Sequence, residues 1–197
     1  MTTLARVINQ QIRNKLEFKK KKIVEKMETN FEFRKQVMDY HIGSDVIKYC
    51  YQCSRCADNC PVTAVTTDFY DTVGYNPRKN ILMALLGYKD LLFGGDELGI
   101  WGCTVCDTCD EVCPQNIELT EIFTFLKNQS IALGKGPDFI YLQAKAIFDN
   151  AKAIPSQPAI ERRRDQLGLP AVISPDVGEI QALLKNIGAD KKLKSEG

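Results

Sequence analysis

The eight cysteines of this 197-residue chain fall at 50, 53, 56 and 60 and again at 103, 106, 109 and 113. One spacing, C-x-x-C-x-x-C-x-x-x-C-P, is thus written twice, as CYQCSRCADNCP and CTVCDTCDEVCP, and no cysteine is left over. Three thiolates three residues apart on a tight turn face one concavity, where they can hold three corners of an iron-sulfur cube while loop amides face its sulfides. The fourth corner needs another thiolate, which in two-cluster ferredoxins comes from the last cysteine of the opposite motif. The spacing therefore predicts two [4Fe-4S] clusters, one on Cys50, Cys53, Cys56 and Cys113 and the other on Cys103, Cys106, Cys109 and Cys60. Pro61 and Pro114, with fixed φ and no N–H, turn the chain away after each fourth cysteine. A four-thiolate zinc site would need neither the third evenly spaced cysteine nor the proline. Disulfides are not expected from cysteines this close in an intracellular chain.

Charge is balanced overall at +1 but divided along the chain: residues 1–40 carry a net +5, residues 41–120 a net −6 and residues 121–197 a net +2. The acidic middle holds both motifs. A four-thiolate [4Fe-4S] core carries about −2, and about −3 once reduced, so amide donors and positive neighbours are needed around it. Arg55 is one such neighbour. The first loop holds Arg55 and Asp58, which cancel, whereas the second holds Asp107, Asp110 and Glu111 with no base. Negative charge opposes electron addition, so the cluster on Cys103, Cys106 and Cys109 is expected to have the lower reduction potential.

The elements that must position these loops read as helices. Cys60 and Cys103 stand 43 positions apart, and the insert contains Asn76 as a cap, Pro77 at a first helical position, and Ile81, Leu82, Leu85 and Leu86 at helical spacing, with Gly87 or Gly94 and Gly95 as stops. After the second motif Leu119, Ile122, Phe123 and Leu126 repeat at the same period, ending at Gly134. Phe139, Ile140, Ala144 and Ile147 indicate another helix after Pro137. A last one follows Ser174, Pro175 and Asp176, with Ile180, Leu183, Leu184 and Ile187 on one face and Gly188 at its end. The fold class expected is all-α: a helical ferredoxin core at residues 41–135, an N-terminal helical extension at 1–40 and a C-terminal helical extension at 136–197.

In the N-terminal extension Leu4, Val7, Ile8, Ile12 and Leu16 suggest an amphipathic helix running into Lys19, Lys20, Lys21 and Lys22. That lysine run, and Arg162, Arg163 and Arg164 in a proline-punctuated stretch, are the expected contact surfaces with other subunits. No apolar run approaches the roughly 20 residues of a membrane span and no signal-peptide pattern stands at the N-terminus, so a cytoplasmic protein is expected. A sequence pI near 7.5 without aromatic interleaving points away from nucleic acid. The lone histidine, His41, reads as an ordinary packing residue, and no phosphate-binding glycine loop occurs. No residue is assigned a catalytic role: the chain reads as a wire whose active site lies elsewhere.

The chain resembles the C subunit of the soluble heterodisulfide reductases of methanogenic archaea. The likeness rests on CYQCSRCADNCPV, YNPRKNILMALLG, WGCTVCDTCDEVCPQ and ERRRDQLGLP, and spans about residues 46–170. It implies a complex in which a flavin-containing A subunit bifurcates electrons, the C subunit relays them through two [4Fe-4S] clusters, and a catalytic B subunit reduces the mixed disulfide of coenzymes M and B. Whether a hydrogenase or a formate dehydrogenase supplies the electrons is left open. The C-C-G motifs of the B subunit are absent here, so disulfide cleavage is not assigned to this chain. The iron-sulfur subunits of succinate dehydrogenase and fumarate reductase resemble it in their helical ferredoxin half. They also need a [2Fe-2S] domain, and this chain has no cysteine before Cys50. Relay proteins of glycerol-3-phosphate or lactate oxidation often fuse the missing C-C-G module, and a zinc-stabilised interaction module is the remaining alternative.

Overall fold

The computed structural model describes residues 28–41, 43–66, 74–94, 99–154, 156–173 and 175–193. The expected amphipathic helix at Leu4 to Leu16 and the lysine run lie outside them. The chain divides into two compact units, Met1–Gln129 and Ser130–Gly197, and all regular structure among the described residues is helical.

In the first unit, α1 (Phe31–Asp39) begins where the Asn30 side-chain oxygen accepts from the Phe33 amide at 2.8 Å, and it buries Phe33 and Val37. Each cysteine motif is then entered from a 3₁₀ turn that ends on the residue before its first cysteine, Ser44–Tyr49 and Gly99–Gly102. The first motif contains a single helical turn, α2 (Arg55–Asp58), and the motif proline opens α3 (Pro61–Thr66). Next come α4 (Pro77–Leu86) and α5 (Lys89–Phe93). The second motif contains α6 (Thr108–Glu111), and α7 (Leu119–Ala132) follows it. The two motifs repeat bond for bond: Cys50 and Cys103 donate to the carbonyls of the buried Ile47 and Ile100, and Asp58 and Glu111 donate to Ser54 and Asp107.

The core of this unit is made by Phe33, Val37, Ile47, Ile81, Ala84, Leu92, Ile100, Ile122, Phe123 and Leu126, each close to fully buried. Cys50, Cys56, Cys103, Cys109 and Cys113 pack against it. Burial of each large apolar side chain contributes roughly 1.5–3 kcal/mol, so the loops carrying the thiols are anchored by the hydrophobic effect from beneath.

The start and stop of α4 are those expected. Asn76 accepts from the Lys79 amide at 3.1 Å, Pro77 takes the first helical position, and Gly87 closes the helix at φ +75°. Gly87 also receives the incoming chain, because its carbonyl accepts from the Asn30 amide at 2.8 Å and a Cβ at this position would lie 2.7 Å from the Asn30 carbonyl oxygen. Gly87→Ala is therefore expected to destabilise the first unit by at least about 1–2 kcal/mol from the left-handed backbone alone, with the clash in addition. A lowered midpoint in thermal or urea unfolding, followed by circular dichroism, checks this.

The second unit contains α8 (Asp138–Asn150), α9 (Pro158–Gln166) and α10 (Val177–Asn186). Asp176 caps α10, accepting from the Gly178 and Glu179 amides at 2.7 and 3.3 Å, and Gly188 ends it at φ +69°. The Gln181 amide donates to the Phe148 carbonyl at 3.1 Å, tying α10 to α8. Ile140, Ala144, Ile147 and Leu184 line an apolar groove between these helices. The apolar face read for α10 is only half used, since Leu183 and Ile187 are exposed: neighbours at i and i+4, Ile180 and Leu184, are turned inward and those at i+3 and i+7 are not. The helix α9 was not expected. It starts at Pro158, buries no residue, and leaves Arg162 and Arg163 exposed while Arg164 turns back to donate to the Pro170 carbonyl at 2.7 Å.

Candidate iron-sulfur centres

Cys50, Cys53 and Cys56 line one cavity, and Cys113 enters its wall from the other motif, beside Arg55, Arg78 and Ile81. Cys103, Cys106 and Cys109 line a second cavity together with Cys60, Tyr75, Pro77 and Thr120. Each cavity is thus lined by three cysteines of one motif and the fourth cysteine of the other. Among the described residues no three His, Cys, Asp or Glu side chains converge on a single ion position.

The loops carry a backbone signature. Gln52 and Ser54 in the first motif have φ of +60° and +71°, and Val105 and Asp107, at the equivalent positions of the second, have φ of +56° and +59°. Left-handed residues placed two positions apart help turn backbone N–H groups into one concavity, a site for negative charge. None of the four is glycine, and a β-branched valine in this region costs on the order of 1–3 kcal/mol, strain of the kind found at functional sites. Donors already reach the sulfurs. The Gln52 side-chain amide donates to Cys50 Sγ at 3.2 Å, and the Val105 and Ile117 amides donate to the sulfurs of Cys103 and Cys113, each at 3.4 Å.

Burial differs among the thiols, with Cys53 and Cys106 exposed and the other six half-buried. Burial first, then the neighbouring Cys50 and Cys53, pushes the Cys56 thiol up to about 11. Burial and the adjacent Asp110 carboxylate push Cys109 up to about 12, while the Thr108 hydroxyl lowers Cys106. Thiolates at Cys56 and Cys109 therefore need positive charge beside them, which iron held by these thiols would supply. Donor set, loop amides and partly dry surroundings all fit a thiolate-ligated [4Fe-4S] cluster in each cavity.

The expected neighbour Arg55 does line the first cavity, but four contributors escaped the sequence reasoning. Arg78 lines the first cavity and Tyr75 and Thr120 the second. Lys127 donates to the Cys103 carbonyl at 2.7 Å and lies over the Trp101 ring, fastening the second loop to α7. Asp110 has a structural task besides its charge: its carboxylate accepts from the Thr120 amide at 3.0 Å at the start of α7, and Cys109 Sγ lies 3.4 Å from it. The only signal for Tyr75 and Arg78 was their place in the YNPRK segment. His41 packs edge-on against Tyr40, and its Nε2 lies 3.5 Å from the Glu118 carboxylate.

Two four-cysteine cavities held by helices define an α-helical ferredoxin, and residues 46–117 match the family model of the 4Fe-4S dicluster domain. Likeness extends well past that segment. The chain is 34% identical to the second iron-sulfur C subunit of the CoB–CoM heterodisulfide reductase of Methanocaldococcus jannaschii, over 76% of this chain and 80% of the relative. It is 32% identical to the C2 subunit of the H(2)/formate:CoB-CoM heterodisulfide,ferredoxin reductase of Methanococcus maripaludis, over 74% and 77%. It is 27% identical to the C subunit of the ferredoxin:CoB-CoM heterodisulfide reductase of Methanosarcina mazei, over 76% and 89%. The chain belongs to the family of heterodisulfide reductase C subunits. It is an iron-sulfur, electron-transfer subunit of an oxidoreductase rather than its catalytic subunit. Among the described residues no helix is long and apolar enough to cross a membrane.

Proposed function

We propose that this chain binds two [4Fe-4S] clusters, on Cys50, Cys53, Cys56 and Cys113 and on Cys103, Cys106, Cys109 and Cys60, and relays single electrons between a flavin-containing A subunit and a B subunit that reduces the heterodisulfide of coenzymes M and B. The observation that carries this reading is the sharing of each cavity by three thiols of one motif and the last thiol of the other. Each cluster, when bound, takes up and gives back one electron. The chain's own part is to hold the thiolates, turn amides toward the sulfurs and keep the inner edges dry. Cys53 and Cys106, the exposed members of their sets, stand where a partner's redox centre can come nearest.

The relatives' names support the partners, since they couple the heterodisulfide to hydrogen, formate or ferredoxin. A hydrogenase or formate dehydrogenase upstream belongs to the same reading. So does a cytoplasmic location, where thiols stay reduced for cluster assembly. Arg162 and Arg163, exposed on a helix that buries nothing, suit docking against another subunit, and the lysines at 19–22 are a second docking surface proposed from the sequence.

Protein purified without oxygen is expected to hold about eight irons and eight acid-labile sulfides per chain, with EPR signals of two interacting [4Fe-4S]1+ centres after dithionite reduction. Zinc without sulfide would remove electron transfer and leave an interaction module.

A further inference from the structure

The segment 75–78 serves both cavities. Tyr75 and Pro77 line that of Cys60, Cys103, Cys106 and Cys109, whereas Arg78 lines that of Cys50, Cys53, Cys56 and Cys113. We propose that this segment tunes both clusters, one residue for each: the Arg78 guanidinium raises the reduction potential of the first, and Tyr75, on the wall of the second cavity, raises that of the second as a hydroxyl donor. The proposal rests on the two-cluster reading above.

The segment is held rigidly enough for this. The Tyr75 amide donates to the Thr66 hydroxyl at 3.1 Å, and the Thr63 hydroxyl donates to the Tyr75 carbonyl at 3.0 Å, so α3 grips both sides of its backbone. Asn76 and Pro77 fix the start of α4 immediately after it. The Tyr75 ring is 3% exposed and lies so close to Gly102, the residue before Cys103, that a Cβ there would stand 2.6 Å from the ring. The ring therefore stands on the wall of the second cavity, beside the turn that leads into Cys103.

The signs follow from charge. Reduction adds one negative charge to a cluster, so a nearby cation or a hydrogen bond donated to a ligand sulfur stabilises the reduced form. Arg55 also lines the first cavity, but it is exposed, and solvent and salt screen it more than the half-buried Arg78. Tyrosine is a protonated donor at neutral pH. Arg78 and Tyr75 are thus positioning residues that act on the clusters through the surrounding field.

The test is an EPR-monitored redox titration of the full, cluster-loaded chain, with the two signals assigned by Cys113→Ser and Cys60→Ser. Arg78→Gln is expected to lower the first cluster's midpoint and leave the second in place, Arg78→Lys to restore most of the loss, and Arg55→Gln to give a smaller shift. Tyr75→Phe is expected to lower the second midpoint alone. Where Gln at position 78 impairs loading, Arg78→Met removes the charge at similar length. Unmoved potentials in loaded Arg78→Gln and Tyr75→Phe overturn the proposal, as do equal shifts in Arg78→Gln and Arg78→Lys, which would mean lost packing. Failure of the parent chain to load two clusters would instead remove the reading beneath it.

Discussion

Cys113→Ser is expected to abolish the cluster on Cys50, Cys53 and Cys56 while sparing the one on Cys103, Cys106 and Cys109, although Cys113 belongs to the second motif. The reason is spatial. Cys113 lines the cavity of the first three cysteines, and Cys60 lines that of the other three. Iron should fall from about eight to about four per chain, because a four-iron core with three thiolates has one corner open to water and to loss of iron. Cys60→Ser should do the converse. In the paired experiment, EPR of each variant in the reduced state compares the surviving signal with that of Cys53→Ser, which removes a first-motif ligand directly. The crossing predicts that Cys113→Ser and Cys53→Ser leave the same signal. If Cys113→Ser instead matched Cys106→Ser, each motif would hold its own cluster and the crossed assignment would fail.

The cluster on Cys103, Cys106, Cys109 and Cys60 is expected to have the lower potential, by on the order of 100 mV. Two unit charges about 8 Å apart at an effective dielectric near 20 interact by about 2 kcal/mol, which is about 90 mV for one electron. The second site has Asp110 held 3.4 Å from Cys109 Sγ, with Asp107 and Glu111 on the same loop, while the first has Arg55 and Arg78 on its wall. The same field that opposes a thiolate at Cys109, after burial, opposes an added electron there. Redox titration of Cys113→Ser, which leaves only the second cluster, against Cys60→Ser, which leaves only the first, measures the two midpoints separately. A higher midpoint in Cys113→Ser would overturn the ordering.

Helix limits were legible wherever a cap or stop acts within one turn. Asn76, Pro77 and Gly87 delimit α4, and Asp176 and Gly188 delimit α10, because a side-chain oxygen reaches an amide only two or three residues away and glycine relieves a local steric clash. Periodicity worked where the stripe meets a partner, as at Ile122, Phe123 and Leu126, all buried. It failed for α9, which has no apolar stripe: Pro158 sets its first φ and a run of charged helix formers continues it in water. The left-handed backbone at Gln52 and Val105 was also unreadable, since neither residue type prefers it and the demand comes from the cavity they wrap.

Cysteine spacing, set beside the known two-cluster ferredoxins, was enough to expect iron-sulfur chemistry and a crossed grouping of the thiols, because ligand type and interval are local properties of the chain. Which cations and donors face each cavity was decided by packing. Arg78 and Tyr75 lie three residues apart in the chain and line opposite cavities, and Tyr75 is held against residues that come 9 to 12 positions earlier and against Gly102, 27 positions later. Electrostatic fields depend on distance through space, and those distances exist only once α3, α4 and the turn before Cys103 have packed together.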